Sequence, residues 1–391
     1  MSGAKRLVLI GPTYPFRGGI AHYTTLLCRT LRQKHEVKFI SFTRQYPKLL
    51  FPGKSDRDTS HSPVKVDEVD YLIDSLNPLT WRAAAKAIIE YRPEKVILPW
   101  WVAFWTLQFR TILKLMRRRI EPEVVFICHN VVEHESSAIK KRLTRMALSL
   151  GDRFITHSRE ETLRLQQLLG QEINVVTAFH PSYAELSRER YSKREAKAEL
   201  ALSGEVLLFF GFVRRYKGLG VLLEAMPMIL REKQVTLLVV GEFWKDKGEY
   251  LAQIERLGIG AHVRLVDEYV PNEAIGLYFA AADLVVQPYL SASGSGISQI
   301  AYGFDRPVIA TKVGSLPEVV EEGQNGWLVE PNNPQMLAQV ILLSLEPKVL
   351  EKITAGAART KEKFSWEKLA DIVAGENQPD SSPEGGLDQG Q

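Results

Sequence analysis

Three cations in four positions, Arg214, Arg215 and Lys217, follow the apolar run EVLLFF and precede Gly218 and an amphipathic stretch, in GFVRRYKGLGVLLEA. Cations beside a helix N-terminus suit a diphosphate, arginine offering a planar fork of donors and lysine a point charge. Two other segments have the composition of an anion cradle. Ser293, Gly294, Ser295 and Gly296, in YLSASGSGISQIAYG, bring hydroxyls and unobstructed N–H groups to the start of an expected helix, with no charged side chain among them. Gly18 and Gly19, in GPTYPFRGGIAHY, let the backbone approach a ligand at the positive end of a helix expected from Ile20. That motif lacks the GxGxxG spacing, which argues against a dinucleotide oxidoreductase. His129, closing the run FICHN, is either a structural imidazole or a group facing the ligand. Singly, each feature also fits a solvated loop or a Gly-rich turn; together they point to a phosphate-bearing ligand.

Such loops need strands before them and helices after them. RLVLIG (6–11), HEVKFISF (35–42), KVILPW (95–100), VVFICHN (124–130) and RFITHS (153–158) read as buried strands separated by segments of helical apolar spacing. This alternation predicts a parallel sheet covered by helices. A second series opens with EVLLFFGF (205–212) and continues through TLLVVGE, HVRLVDE, LVVQPY and PVIAT. The expected fold class is α/β, two doubly wound Rossmann-like domains facing a cleft at the carboxyl ends of their strands, where open α/β sheets bind ligands. The expected division is an N-terminal domain over 1–183, a C-terminal domain over 184–364, a closing helix over 365–375 and a disordered polar tail over 376–391.

Composition agrees with two cores: 391 residues, 45% hydrophobic and 25% charged. Cys28 and Cys128 lie in apolar surroundings without a CxxC pattern, so a reducing cytoplasm is expected. Neither a signal peptide nor an apolar run of membrane-spanning length is present, so secretion by that route and integral membrane insertion are not expected. His134, between Glu133 and Glu135, has no second ligand cluster near it and reads as a loop rather than a metal site. The acid pairs Glu160-Glu161 and Glu321-Glu322 read as solvated helix faces. Residues 1–183 hold 28 Lys+Arg against 17 Asp+Glu, whereas 184–391 hold 22 against 29. The excess concentrates in KLMRRR (114–119) and KKRLTR (140–145), which are either solvated helix faces or a surface attracted to anionic lipid headgroups or a polyanionic ligand. No nucleic-acid-binding motif accompanies the charge, so nucleic acid is not an expected partner. In the aromatic run PWWVAFWTLQF, Trp100 or Trp101 could line the cleft.

GFVRRYKGLGVLLEA, the opening GGIAHYTTLL and PVIATKVGSLPEVVEEGQNGWLVEP (307–331) together resemble the retaining family 4 (group 1) glycosyltransferases of GT-B fold, over about residues 6–364. SWEKLADIVAG, from Ser365, resembles the family's closing helix, which returns to the N-terminal domain. The resemblance implies transfer of a sugar from a nucleotide diphosphate donor, held mainly by the C-terminal domain, to an acceptor held mainly by the N-terminal domain. It implies no metal or other cofactor. Lys217 matches the family's lysine on the donor diphosphate, with Arg214 standing in for an arginine whose position is Phe212, and Arg215 a less direct substitute. His129 matches a histidine facing the donor sugar, Gly18 and Gly19 the Gly-rich loop, and Glu318 a structural glutamate.

The departure from the family lies in the Ser/Gly loop. Two glutamates eight positions apart usually stand there, and this chain has Ala292 and Ile300 instead, with Gln299 one residue away from the ribose-contacting position. Asp305 stands where the family usually has glycine. The pattern SGSGISQIAYGFDRPVIAT resembles a divergent branch without these acids. The expected function is a retaining glycosyltransferase acting on a glycan or lipid-linked acceptor, with Lys217, Arg214, His129 and the loop amides as its working groups. The alternative is a non-catalytic GT-B protein that binds a nucleotide sugar or glycan; a phosphorylase or epimerase on the same fold has no distinguishing motif here.

Overall fold

In this computed structural model the described residues are 3–47, 55–131, 137–183, 191–244, 246–292, 294–360 and 363–376. The chain's strands lie in two sheets whose middle strands are covered on both faces, which removes the alternation of a half-buried strand. Seven of them, β1 (Arg6–Ile10), β2 (Glu36–Arg44), β3 (Val69–Asp74), β4 (Lys95–Trp100), β5 (Glu123–Cys128), β6 (Arg153–Thr156) and β7 (Val175–Thr177), make one sheet in the order β3-β2-β1-β4-β5-β6-β7. Its pairings are all parallel. Helices α1 (Gly19–Leu31), α2 (Pro78–Tyr91), α3 (Thr106–Met116), α4 (Ala138–Leu148) and α5 (Arg159–Leu169) connect these strands.

The second sheet contains β8 (Glu205–Phe210), β9 (Val235–Val240), β10 (Val263–Val266), β11 (Leu284–Gln287), β12 (Val308–Thr311) and β13 (Gly326–Val329), ordered β10-β9-β8-β11-β12-β13 and again parallel. With it go α6 (Lys193–Glu199), α7 (Leu219–Glu232), α8 (Lys247–Arg256), α9 (Asn272–Ala281), α10 (Gly296–Gly303), α11 (Leu316–Val319), α12 (Pro334–Ser344), α13 (Pro347–Thr360) and α14 (Trp366–Ala374). Strand order reverses between β1 and β4 and between β8 and β11. The loops leaving β1 and β4, and those leaving β8 and β11, therefore diverge from two switch points and open the crevices that receive ligands. Strands β3, β7 and β13 were not among the strands expected from sequence; β7 spans only three residues, and β3 carries an exposed tyrosine, Tyr71.

The chain passes between the two sheets twice, side by side. The Ser182 N–H donates to Phe364 O at 2.9 Å, and Trp366 Nε1 donates to Ser182 O at 2.8 Å. From there α14 packs on α1, Lys34 Nζ meets Asp371 Oδ1 at 2.6 Å, and Lys5 Nζ donates to Ala374 O at 2.8 Å. The closing segment thus lies on the N-terminal sheet. Among the described residues no helix is long and apolar enough to cross a membrane. Of the expected tail, only Glu376 lies within the described residues. Asp305 has φ 58°, the left-handed conformation that glycine adopts without strain, so this aspartate occupies a glycine-like turn at the end of α10.

Gly218 fixes how the loop after β8 meets the loop after β11. Its φ is 70°, and a Cβ there would sit 1.8 Å from Pro288 O. Only glycine permits this approach. Gly218→Ala is expected to cost about 2–4 kcal/mol, through a forced shift of the Pro288 backbone and left-handed strain. Gly248, in α8 with open space around its Cα, provides the control: Gly248→Ala should leave the urea midpoint unchanged or raise it. Equal midpoints for the two variants would show that the close approach is not required.

Candidate functional site

A cavity of about 420 Å³ lies between the switch points of the two sheets. One wall comes from the C-terminal domain. The left-handed Gly218 ends a single turn, Arg215–Lys217, which directs Lys217 into the cavity beside Gly211; the Lys217 Nζ lies 5.5 Å from the Tyr289 ring centroid. The Tyr289 hydroxyl is 3.3 Å from Ser295 Oγ, which caps α10 by accepting from the Ile297 N–H. Gly294, Ser295 and Gly296 line the same wall, and Gly18 and Gly19 face it from the N-terminal domain. Burial, reinforced by the neighbouring Arg214, pushes the Lys217 ammonium down to about 8. No acidic side chain forms an ion pair with it among the described residues.

The floor is different in kind. His129 from the end of β5, His157 from the end of β6 and His180 from just after β7 line the cavity together, with ring centroids 4.9–6.1 Å apart. Tyr23 of α1 meets His129 edge-on at 4.4 Å and also touches His157, His180 and Trp366 of α14. The Tyr183 hydroxyl stands 3.5 Å from His180 Nε2. Burial holds all three imidazoles below their ordinary value: His157 at about 4, His180 at about 3 with His157 adding to the effect, and His129 well below, helped by both neighbours. The floor is therefore neutral at physiological pH.

The two walls are joined across the cleft. Arg17, one residue before the glycine pair, reaches Glu242 after β9 at 2.7 Å, with 5% and 7% of the two side chains exposed, and lies over the Tyr269 ring at 4.4 Å. Ser60 Oγ accepts from the Asn272 N–H at 3.0 Å, and Glu273 accepts from the His61 N–H at 2.8 Å. Glu318 accepts from the Arg159 N–H at 2.9 and 3.0 Å, consistent with a structural glutamate.

Among the residues expected from sequence, Lys217, His129, Gly18, Gly19, Gly294, Ser295, Gly296 and Gln299 converge on this cavity. Ser293 lies outside the described residues, as do Glu133, His134 and Glu135. Arg214 is not a lining residue; its guanidinium lies 4.3 Å from the Trp244 ring centroid, close enough to act on Lys217 through its charge. Arg215 points away, is mostly exposed, pairs with Glu249 at 2.6 Å and borders a separate hollow. Ala292 is buried and Ile300 lines the cavity, so neither position presents a carboxylate. Trp100 is core, and Trp101 donates to the Tyr46 hydroxyl at 2.7 Å; neither lines the cavity. Glu161, expected on a solvated face, is instead 2% exposed: Ser158 caps α5 by accepting from the Glu161 N–H, and the Glu161 carboxylate accepts from the Val131 N–H and pairs with Arg164 at 2.7 Å. Sequence reasoning missed Arg17, Glu242, His157 and His180. The signal that singled out His129, a histidine directly after an apolar strand, is also present in RFITHS; His180 follows a strand too short to see.

Residues 17–197 match the model of Glycosyltransferase Family 4, and residues 204–346 that of glycosyl transferases group 1. The chain is 31% identical over 239 residues to a D-inositol 3-phosphate glycosyltransferase of Streptomyces bingchenggensis, covering 57% of this chain and 52% of that protein. It is 34% identical over 232 residues to the protein of that name from Segniliparus rotundus, covering 56% and 50%. The chain thus spans about half the length of the curated relatives it matches. Among solved structures it resembles sucrose-phosphate synthase from Thermosynechococcus elongatus, with a TM-score of 0.72 at 19% identity over 95% of this chain and 98% of that one. It also resembles Anabaena Alr3699/HepE, solved in complex with UDP and glucose, with a TM-score of 0.73 at 19% identity over the same shares. At such identities the structural likeness establishes the fold, two Rossmann-like domains of GT-B type.

The neutral histidine floor has a measurable consequence. Below about pH 6.5 the unfolded chain binds protons that the folded floor refuses, so stability is lost as pH falls from 6.5 toward 4. The slope is up to about 1.4 kcal/mol per pH unit for each histidine. Urea midpoints should fall across this window, and the fall should be shallower in His157→Phe. A variant with the slope of the parent protein would contradict a buried neutral His157.

Proposed function

Because the chain belongs to the group 1 and family 4 glycosyltransferases, which its two halves match, we propose that it transfers a sugar from a nucleotide diphosphate sugar to a glycan or lipid-linked acceptor, with retention of anomeric configuration. The observation that carries this reading is Lys217: a cation held without a carboxylate partner among the described residues, in a cavity whose wall is glycine, serine and backbone amide. Such a wall fits a diphosphate, and the UDP and glucose held by the Anabaena protein of the same fold are in keeping with that.

Of the proposed donor's groups, the diphosphate lies against Lys217 and the loop at Gly294–Gly296. The anomeric carbon's bond to phosphate oxygen breaks, the bond to the acceptor oxygen forms on the same face, and the acceptor's proton passes to the departing phosphate oxygen. No protein carboxylate is needed as base, in keeping with Ala292 and Ile300 at the positions of the family's acids. The protein's contribution is orientation and charge stabilisation of the leaving group, the latter from Lys217 with the field of Arg214 behind it. The same cation, with the loop N–H groups, offsets part of the diphosphate charge in this scheme, which calls on no metal. A reducing cytoplasm suits the two buried free thiols, Cys28 and Cys128.

The acceptor side carries the basic excess. α3 and α4 pack together, and Lys114, Arg118, Arg119, Lys141, Arg142 and Arg145 are exposed on and just after them, beside the exposed apolar side chains Leu107 and Ile139. Cations interleaved with apolar surface suit an anionic bilayer face, where a lipid-linked acceptor would be found.

Two measurements test the reading. Supplied with a panel of nucleotide sugars, the protein should release nucleoside diphosphate from at least one, also in the presence of EDTA, and Lys217→Ala should weaken nucleotide binding about tenfold or more. Binding without release, with or without glycan acceptors, would support the non-catalytic alternative, to which the missing glutamates give its weight; absence of nucleotide-sugar binding removes the enzyme reading and leaves of the alternative only a glycan binder. The protein should also bind vesicles containing anionic lipid at low salt and leave them at about 0.5 M salt. Failure to bind at low salt excludes the membrane contact.

A further inference from the structure

The cavity is divided by charge. Lys217 is the one Lys or Arg among its described lining residues and stands on the diphosphate wall. The floor opposite is built from neutral groups whose hydrogen-bonding capacity is left open. His157 Nδ1 is 3.0 Å from Ala178 O. A carbonyl only accepts, so the imidazole proton resides on Nδ1 and Nε2 presents a lone pair. That Nε2 is buried and has no partner among the described residues; the same holds for His129 Nε2 and for Gln299 Oε1, from the other domain. Of these atoms His157 Nε2 and Gln299 Oε1 are acceptors, and buried acceptors without partners call for hydroxyl or N–H donors from whatever fills the space.

From this we infer that the donor carries an uncharged, polyhydroxylated sugar, and that the floor made by His157, His129 and Gln299 excludes a hexuronate. The inference rests on the nucleotide-sugar reading above. Sugar hydroxyls donate to the His157 Nε2 and Gln299 Oε1 lone pairs. A uronate carboxylate beside His157 Nε2 and Gln299 Oε1 brings only acceptors to acceptors, and among the described lining residues no Lys or Arg stands on the floor to meet it. It also brings a second negative charge near Glu161, which lines the cavity and whose neighbour Arg164 is already engaged by Glu161 and Glu160. A desolvated carboxylate without donors is strongly disfavoured. His157 is accordingly a specificity-determining residue, held in its tautomer by the Ala178 carbonyl.

Titration calorimetry on the full chain tests this with UDP, UDP-glucose and UDP-glucuronate, and with GDP, GDP-mannose and GDP-mannuronate. In a series whose nucleotide binds, the hexose conjugate should bind at least about thirtyfold more tightly than the hexuronate conjugate. His157→Phe, which keeps a ring but no acceptor, should weaken the hexose conjugate about tenfold while moving the free nucleotide less than about twofold. His157→Gln, with an amide oxygen in reach, should recover part of the loss. Thermal melting of both variants checks that they fold. Equal affinity for hexose and hexuronate, hexuronate binding that strengthens from pH 7 to 5 as the histidines take up protons, or an equal loss for nucleotide and conjugate in His157→Phe would each overturn the inference. If neither these compounds nor any member of the nucleotide-sugar panel above binds, the nucleotide-sugar reading itself fails and this inference with it; a nucleotide that binds while its sugar moiety goes unsensed by His157 defeats the inference alone.

Discussion

The site exists because two sheets present the carboxyl ends of their strands to one another, and the Arg17–Glu242 pair is the bond at the centre of that arrangement. Each partner comes from a different domain, and both are out of water. A buried pair of this kind gains little over apolar packing, but breaking it strands an uncompensated charge at a cost of about 3–5 kcal/mol. Sliding one domain over the other would expose or orphan both ions, so the pair works as a register pin. The Asn272–Ser60, Glu273–His61 and Glu318–Arg159 contacts surround it with hydrogen bonds that tolerate only small displacements. The glycine pair adjoining Arg17 is thereby set opposite Lys217, and the cavity acquires two walls.

Within those walls charge and neutrality are separated along one cavity. Lys217 keeps an ammonium at physiological pH even though burial and Arg214 lower its proton affinity, because it began far above that range. The imidazoles start near neutrality, so a comparable desolvation is enough to discharge them. The same physical effect, burial, therefore leaves Lys217 cationic and the three imidazoles uncharged. The Tyr23 ring meets all three histidines edge to face, and it belongs to α1, the helix that the Gly18-Gly19 turn begins.

Much of this was legible in the sequence where the information is local. The strand–loop–helix grammar, the glycines at loop–helix junctions and the lysine before Gly218 are each decided within a few residues, and the family resemblance draws on the same segments. Backbone approach needs glycine whatever the rest of the chain does, as at Gly218 against Pro288. The direction of a side chain is a different matter. Arg214, Arg215 and Lys217 read alike in one dimension, yet a single helical turn sends Lys217 inward and leaves Arg215 with Glu249. The Arg17–Glu242 pairing spans 225 residues and no local pattern announces it. Glu161 looked like half of a solvated acid pair because nothing in its neighbourhood reveals that Val131 has a backbone N–H to satisfy.

The side-by-side crossings at Ser182 and Phe364 carry a consequence for how the chain is made. α14 supplies Trp366, Leu369, Ala370 and Val373 to the buried interior and lies on α1, whose sequence precedes the whole second domain. As synthesis proceeds, the first sheet and its helices leave the ribosome with the apolar stripe of α1 still uncovered, and it stays so until the whole second domain has followed. The N-terminal domain is therefore first to be synthesised and last to be completed, and for that interval the α1 stripe is a surface for chaperones to shield.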